Sequence, residues 1–207
     1  MTNIPMLAPA QEFDISGGNL ALDFANTVSK RRSGMPEEHL HSCFDLIRWA
    51  TQAGAISSTE ANRIFDWVKK HPKAATKLLQ RTIEIRETFY RIFSATATHQ
   101  KPTRDDLGAL SLALQNFYNQ AELKWTGNGV VWAWIDKDDS LEKILWQVMR
   151  ACVDLLMSDE AKRVRECEAE TCAWLFMDHS KNQSRRWCDM QVCGNREKAK
   201  RFYKRNH

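Results

Sequence analysis

Glycine and proline are scarce, 8 and 5 of 207 residues. No glycine-rich loop of the kind that cradles phosphates is present, which argues against a nucleotide-binding fold. There is no low-complexity stretch and no internal repeat. No apolar run approaches the length of a membrane span, so no membrane partner is expected. The opening residues, Met1 to Pro9, lack the charged segment and long apolar core of a secretory signal. A cytoplasmic location is therefore expected. No Ser/His/Asp order and no paired-carboxylate arrangement stands out, and the chain is not expected to be an enzyme.

What is present is an ordinary folded composition, 43% hydrophobic and 27% charged. The length suits one good-sized domain and a small one. The charge is unevenly placed. Residues 1–161 carry 18 Lys/Arg and 20 Asp/Glu, whereas residues 162–207 carry 12 and 6. The positive excess lies in the tail and favours a polyanionic partner for it.

Four of the 6 cysteines share that tail: Cys167, Cys172, Cys188 and Cys193. Two C-x4-C pairs separated by fifteen residues supply the ligands of a closed tetrahedral zinc site. In a reducing compartment disulfides are disfavoured, so thiolate ligands and one structural Zn²⁺ per chain are expected. Cys43 and Cys152 read as packed thiols. His39, His41 and Cys43 alternate, but a second metal site there would lack a fourth ligand.

Along the body, residues 1–12 hold two prolines and read as a loose arm. Phe13 and Ile15 suggest a short strand ending at Gly17-Gly18. Asn19 can cap a helix carrying Leu20, Ala21, Phe24, Ala25 and Val28 on one face, although Leu20, Leu22 and Phe24 also alternate and keep a strand open for part of it. Helices follow over Cys43–Ala50, after the Ser57/Glu60 capping box, over Ala74–Thr98, after Thr103, and over Ser140–Asp159. Leu123 to Ile135, broken at Gly127-Asn128-Gly129, is a β-hairpin signal. Trp125, Trp132 and Trp134 on it read as core aromatics, with ligand stacking as the rival. The fold class is α+β: a mostly helical domain over residues 1–160 with a small antiparallel sheet, then a finger over 161–207. The boundary falls near Ser158–Arg165, and the short linker lets the two parts dock.

In the tail, Ala173–Asp178 has strand character and Arg185–Trp187 returns toward Cys188, so a hairpin is expected between the cysteine pairs. Ala199, Phe202 and Tyr203 are available to pack the final helix back. A knuckle, a hairpin and a helix describe a treble-clef-type finger. Arg196, Lys200 and Lys204 form a stripe at i, i+4, i+8, with Arg201 and Arg205 beside it. That stripe is either a solvated face or a phosphate contact. Arg185 and Arg186 flank Cys188 and serve as counter-charges to the cluster or as further phosphate contacts. Asp23, Asn26 and Thr27 either line a small polar ligand site or bond locally.

The segments Cys167-x4-Cys172-Ala-Trp-Leu-Phe-Met-Asp, Ser184-Arg-Arg-Trp-Cys188-Asp-Met and Cys193-Gly-Asn-Arg196 resemble the CGNR zinc finger. Asn19-Leu-Ala-Leu-Asp-Phe-Ala-Asn-Thr27 and Phe44-Asp-Leu-Ile-Arg-Trp-Ala50 resemble the ABATE domain. The resemblance covers nearly the whole chain. It implies a bacterial stress-induced transcription regulator, with zinc on the four cysteines and DNA as partner. A homodimer would double the phosphate contacts, and a small-molecule effector could act on the body. Two rival readings stay open: a ligand-binding or enzymatic body stapled by zinc, and an RNA-binding protein.

Overall fold

The innermost element is also among the shortest. α1 (Leu20–Ala25) has every residue from Ala21 to Ala25 buried. Asn19 caps it by accepting from the Ala21 N–H at 2.9 Å. Phe24 meets the Trp49 ring at 5.2 Å and the Phe89 ring at 6.1 Å between centroids. A six-residue helix has little stability of its own, so burial on all sides must hold it. The structure, a computed structural model, describes residues 12–135 and 141–206. The arm expected over residues 1–12 lies outside the described residues, apart from Glu12.

Around α1 pack α2 (Cys43–Gln52), α3 (Ser58–Lys70), α4 (Pro72–Ala97), α5 (Arg104–Tyr118) and α6 (Glu142–Leu156). Capping boxes fix the starts of α2, by Ser42 and Asp45, and of α3, by Ser57 and Glu60. Pro72 opens α4, where a missing N–H costs nothing. Leu46, Ile64, Phe89, Ile92, Phe93, Trp146 and Val148 fill the core with Trp49. Cys43 and Cys152 are buried free thiols in that core, as expected.

Three two-stranded antiparallel sheets complete the described chain. β1 (Val28–Ser29) pairs with β2 (Glu37–Glu38) and frames the 30–36 loop, so Val28 lies in a strand and not on the face of α1. β3 (Ala121–Trp125) pairs with β4 (Val130–Trp134), as the hairpin signal predicts. β5 (Val164–Glu166), entered through a 3-10 turn at Asp159–Arg163, pairs with β6 (Leu175–Met177). Val164, Leu175 and Met177 join the same core as α1, so the finger's hairpin is docked on the helices.

Three expectations need correction. Phe13–Ile15 form no strand. Instead Gly17 at the corner accepts the Met177 N–H at 2.8 Å. A Cβ there would fall 2.8 Å from Asp23 Oδ1, so only glycine lets the corner approach. Second, β6 does not pair with Arg185–Trp187. Its partner is β5, so the strand return closes around the first cysteine pair. Third, Trp125 is 72% exposed and Trp132 is 39% exposed. Only Trp134 and Trp132 turn toward Trp146, at 5.8 and 6.1 Å.

Candidate metal centre and its basic helix

β5 delivers Cys167 and β6 begins three residues after Cys172, so the first two cysteines sit in the bend of one hairpin. Its closure includes the Cys167 N–H to Trp174 C=O bond at 2.7 Å. Ala173 holds a φ of 63° at the bend, a conformation rarely taken by a residue with a Cβ. Cys188 arrives on a loop organised by Asp178. Its buried carboxylate accepts the N–H groups of Ser180 and Arg185, each at 2.9 Å. Burial works against that charge, but these hydrogen bonds outweigh it and hold the pKa below the usual carboxylate range. Cys193 lies in a wide turn at Met190–Gly194 that runs straight into α7 (Asn195–Asn206).

The four sulfur atoms all lie within 4.8 Å of one another, and all four residues are buried. Cys188 Sγ is 3.7 Å from both Cys172 Sγ and Cys193 Sγ. Four Zn–S bonds of about 2.3 Å in a tetrahedron give edges of roughly 3.8 Å, whereas a disulfide needs about 2.05 Å. The spacing is that of metal ligands. The electrostatics agree. Cys172 and Cys188 donate to Cys167 and pull its pKa well below the usual thiol range. The same bonds, with burial, push Cys172 and Cys188 up; burial pushes Cys193 up. The sulfurs cannot all carry charge unaided, and a divalent cation removes that conflict. Backbone N–H groups of Ala169 and Cys188 also serve Cys167 Sγ, and that of Trp174 serves Cys172 Sγ. The site fits one structural zinc, with no position left open for substrate.

Residues that sequence periodicity passed over tie this centre to the body. The Arg31 and Arg32 N–H groups donate to the carbonyls of Cys172 and Thr171 at 3.2 and 3.3 Å. Arg32 Nη1 donates to the Cys167 carbonyl at 2.9 Å, while its other nitrogen pairs with Glu166. Arg31 forks onto Glu87 of α4 at 2.7 and 3.1 Å and lies over the Tyr90 ring. Trp174 Nε1 donates to the Val28 carbonyl at 2.8 Å. The loop framed by β1 and β2 is therefore a strap across the zinc knuckle. The signal was there in Arg31-Arg32, but a basic pair in a polar loop reads as solvated.

The basic residues divide into two kinds. Arg185 turns inward, donating to the carbonyls of Trp187 at 2.9 Å and Cys188, with its guanidinium 4.6 Å from the Phe176 ring centre. Arg186 pairs with Glu168. On α7, Lys200 pairs with Glu170, and Arg196 reaches Thr171 Oγ1 at 3.4 Å. Two members of the expected stripe thus face the knuckle. Lys198, Arg201 and Arg205, at i, i+3 and i+7, share a different face. Among the described residues none of these three, nor Lys204, has an ion-pair partner. Ala199 and Phe202 do not pack back. α7 buries no residue, and Phe202 and Tyr203 are 65% and 66% exposed.

Asp23, Asn26 and Thr27 are spent on the fold. Asn26 accepts the Leu175 N–H at 2.9 Å and donates to its carbonyl at 2.8 Å. Thr27 Oγ1 donates to the Phe24 carbonyl and accepts from buried Arg86. Asp23 accepts the Gly17 N–H at 2.7 Å, and burial raises its pKa to about 6. Asn26 and Thr27 border a cleft of about 280 Å³ with His39, His41 and Trp174, but Asp23 does not line it. His39 Nε2 is 3.0 Å from Ser29 Oγ.

Among the described residues, no helix is long and apolar enough to cross a membrane. A family model described as "ABATE: Putative stress-induced transcription regulator" matches residues 18–159, and one described as "CGNR zinc finger" matches residues 163–206. Neither describes an enzyme family. No curated protein matches the chain. With well over half its length matched by the first model and its buried cysteine cluster inside the second, the chain belongs to the ABATE family and ends in a CGNR zinc finger.

Proposed function

We propose that the protein is a cytoplasmic, stress-responsive transcription regulator that binds duplex DNA through α7, held out by the zinc knuckle. One observation carries this reading. A helix of 12 residues stands free of the core with Lys198, Arg201 and Arg205 unpartnered on one face. A helix so placed buries none of its own residues, and its geometry suits a groove. Lys204 extends the cationic surface, while Arg196 and Lys200 brace the helix against Thr171 and Glu170. Arg185 and Arg186 serve the fold of the finger. No step requires a catalytic residue, and zinc acts as a staple.

Anisotropy of a labelled duplex across a salt series tests this. Each phosphate contact adds about one to the slope of log affinity against log salt. The Lys198→Ala, Arg201→Ala, Arg205→Ala triple variant should lose roughly three from that slope. An unchanged slope would refute the assignment. A second reading, single-stranded RNA, draws on the exposed Phe202 and Tyr203 rings, 6.4 Å apart, since such rings can stack on unpaired bases. Competition between duplex DNA and single-stranded RNA separates the two. Winning competition by RNA, lost in a Phe202→Ala, Tyr203→Ala variant, would favour the second.

A further inference from the structure

The β3–β4 hairpin carries a feature that DNA binding does not explain. Leu123, Trp125 and Val130 are 61%, 72% and 62% exposed, all toward its tip. The cross-strand register puts Ala121, Leu123 and Trp125 on the same face as Trp134, Trp132 and Val130. The base of that face rests on the molecule's own aromatics, with Trp134 at 6.0 Å from Phe117 and Trp132 at 5.4 Å from Tyr118. Its outer half overhangs solvent. A two-stranded ribbon with an uncovered apolar face is marginal alone, and its open edges invite another strand.

The hydrogen-bond ladder shows which backbone groups are open. The Thr126 N–H bonds to Gly129 C=O at 3.1 Å, and the Ile135 N–H to Gln120 C=O at 2.8 Å. In antiparallel pairing these bonds alternate along the strand. The even-numbered residues of β3 therefore bond to β4. The N–H and C=O groups of Ala121, Leu123 and Trp125 point away from it, with no backbone partner among the described residues.

We propose that two copies of this chain pair β3 against β3 about a two-fold axis at Leu123, making one four-stranded sheet. Three properties of the strand suit this occupant. With Leu123 opposite itself, the outward backbone groups meet in bonding register along the whole of β3. Glu122 of each copy then faces Lys124 of the other. Within one copy these two side chains pair with each other, at 2.8 Å along the strand. On the opposite face, bulky Trp125 falls beside small Ala121 of the second copy. It lies over that copy's Trp134 and its aromatic base, so each overhanging tip is covered by its partner's body. A two-fold contact must be self-complementary in this way, and the charge order Glu-Leu-Lys is. This inference goes beyond the DNA reading, and its test does not depend on nucleic acid.

Sedimentation of the full zinc-loaded chain at micromolar concentration should report a dimer. Glu122→Lys or Lys124→Glu alone turns two attractive cross-strand pairs into two repulsive ones. Each should weaken the dimer about ten-fold or more. The Glu122→Lys, Lys124→Glu double variant restores opposite charges across the axis and should restore the dimer. Leu123→Pro removes an N–H that β4 does not use, and should give a monomer whose melting temperature stays close to the wild-type monomer's. A wild-type monomer throughout the concentration range would overturn the proposal. So would a dimer indifferent to the single charge reversals, or single reversals that the double variant fails to rescue.

Discussion

Replacing Asn26 by alanine tests whether the finger's hairpin and the helical body fold as one unit. Asn26 is 4% exposed, and its amide satisfies both the N–H and the C=O of Leu175, at 2.9 and 2.8 Å. Leu175 lies in β6, two residues from the bend that holds Cys172, and is itself fully buried. Alanine leaves two backbone groups without partners in the interior. Each such group costs about 1–3 kcal/mol. Water entering the small gap recovers part of this, so a net loss of about 3 kcal/mol follows. For a chain of this size that lowers the melting temperature by roughly 6–12 °C. The assay is thermal unfolding of the zinc-loaded protein followed by far-ultraviolet circular dichroism, with zinc transfer to a colorimetric chelator timed in parallel. Melting should move down as a single transition, and zinc should leave faster, because the hairpin bearing Cys167 and Cys172 loses its anchor. A melting temperature within about 2 °C of wild type, or a body transition that stays put while the finger melts separately, would refute the reasoning.

Further outcomes follow from the same contacts. Asp23 has a folded pKa of about 6 against an ordinary 3.8, because burial disfavours its charge. The folded state therefore holds the proton more tightly. Relative to an Asp23→Asn variant, wild-type stability should fall as pH rises from about 4 to about 6 and stay flat above. The variant should be more stable at pH 7 by about 3 kcal/mol, read from urea unfolding; equal stability across that range would contradict the burial argument. Arg185→Ala should destabilise the finger by about 1–2 kcal/mol, the value discounted for its exposure. It should leave the salt slope of nucleic-acid binding almost unchanged, whereas Lys198→Ala should do the reverse. Arg32→Ala frees the Cys167 carbonyl and Glu166, and should speed zinc loss to a chelator without changing zinc stoichiometry.

The parts of this molecule legible in its sequence are those decided locally. Ser57 and Glu60 lie three residues apart and make the capping box their spacing predicts. Gly127-Asn128-Gly129 turns the hairpin, and Pro72 separates α3 from α4. The cysteine spacing led directly to a buried tetrad. What was not legible depends on partners far along the chain. Residues 175–177 look like a strand, but nothing near them says that the other strand is 164–166, before the first cysteine, and not 185–187. Asn26 looks like any polar residue after a helix until Leu175 arrives from 149 positions away. Arg185 and Arg186 are chemically the same residue, yet one bonds the carbonyls behind Cys188 and the other pairs with Glu168. Lys198 lies off the i, i+4, i+8 stripe, whose Arg196 and Lys200 face the knuckle, so spacing alone does not single it out.

The central claim is that one zinc ion fixes the base from which α7 meets nucleic acid. It is tested most directly by measuring zinc content and duplex affinity on the same sample while a chelator removes the metal. The account predicts one zinc per chain at the start and duplex affinity that falls in proportion to the zinc removed. Duplex affinity that persists after the last zinc has gone would contradict it, as would a fully zinc-loaded protein with no affinity for DNA at low salt.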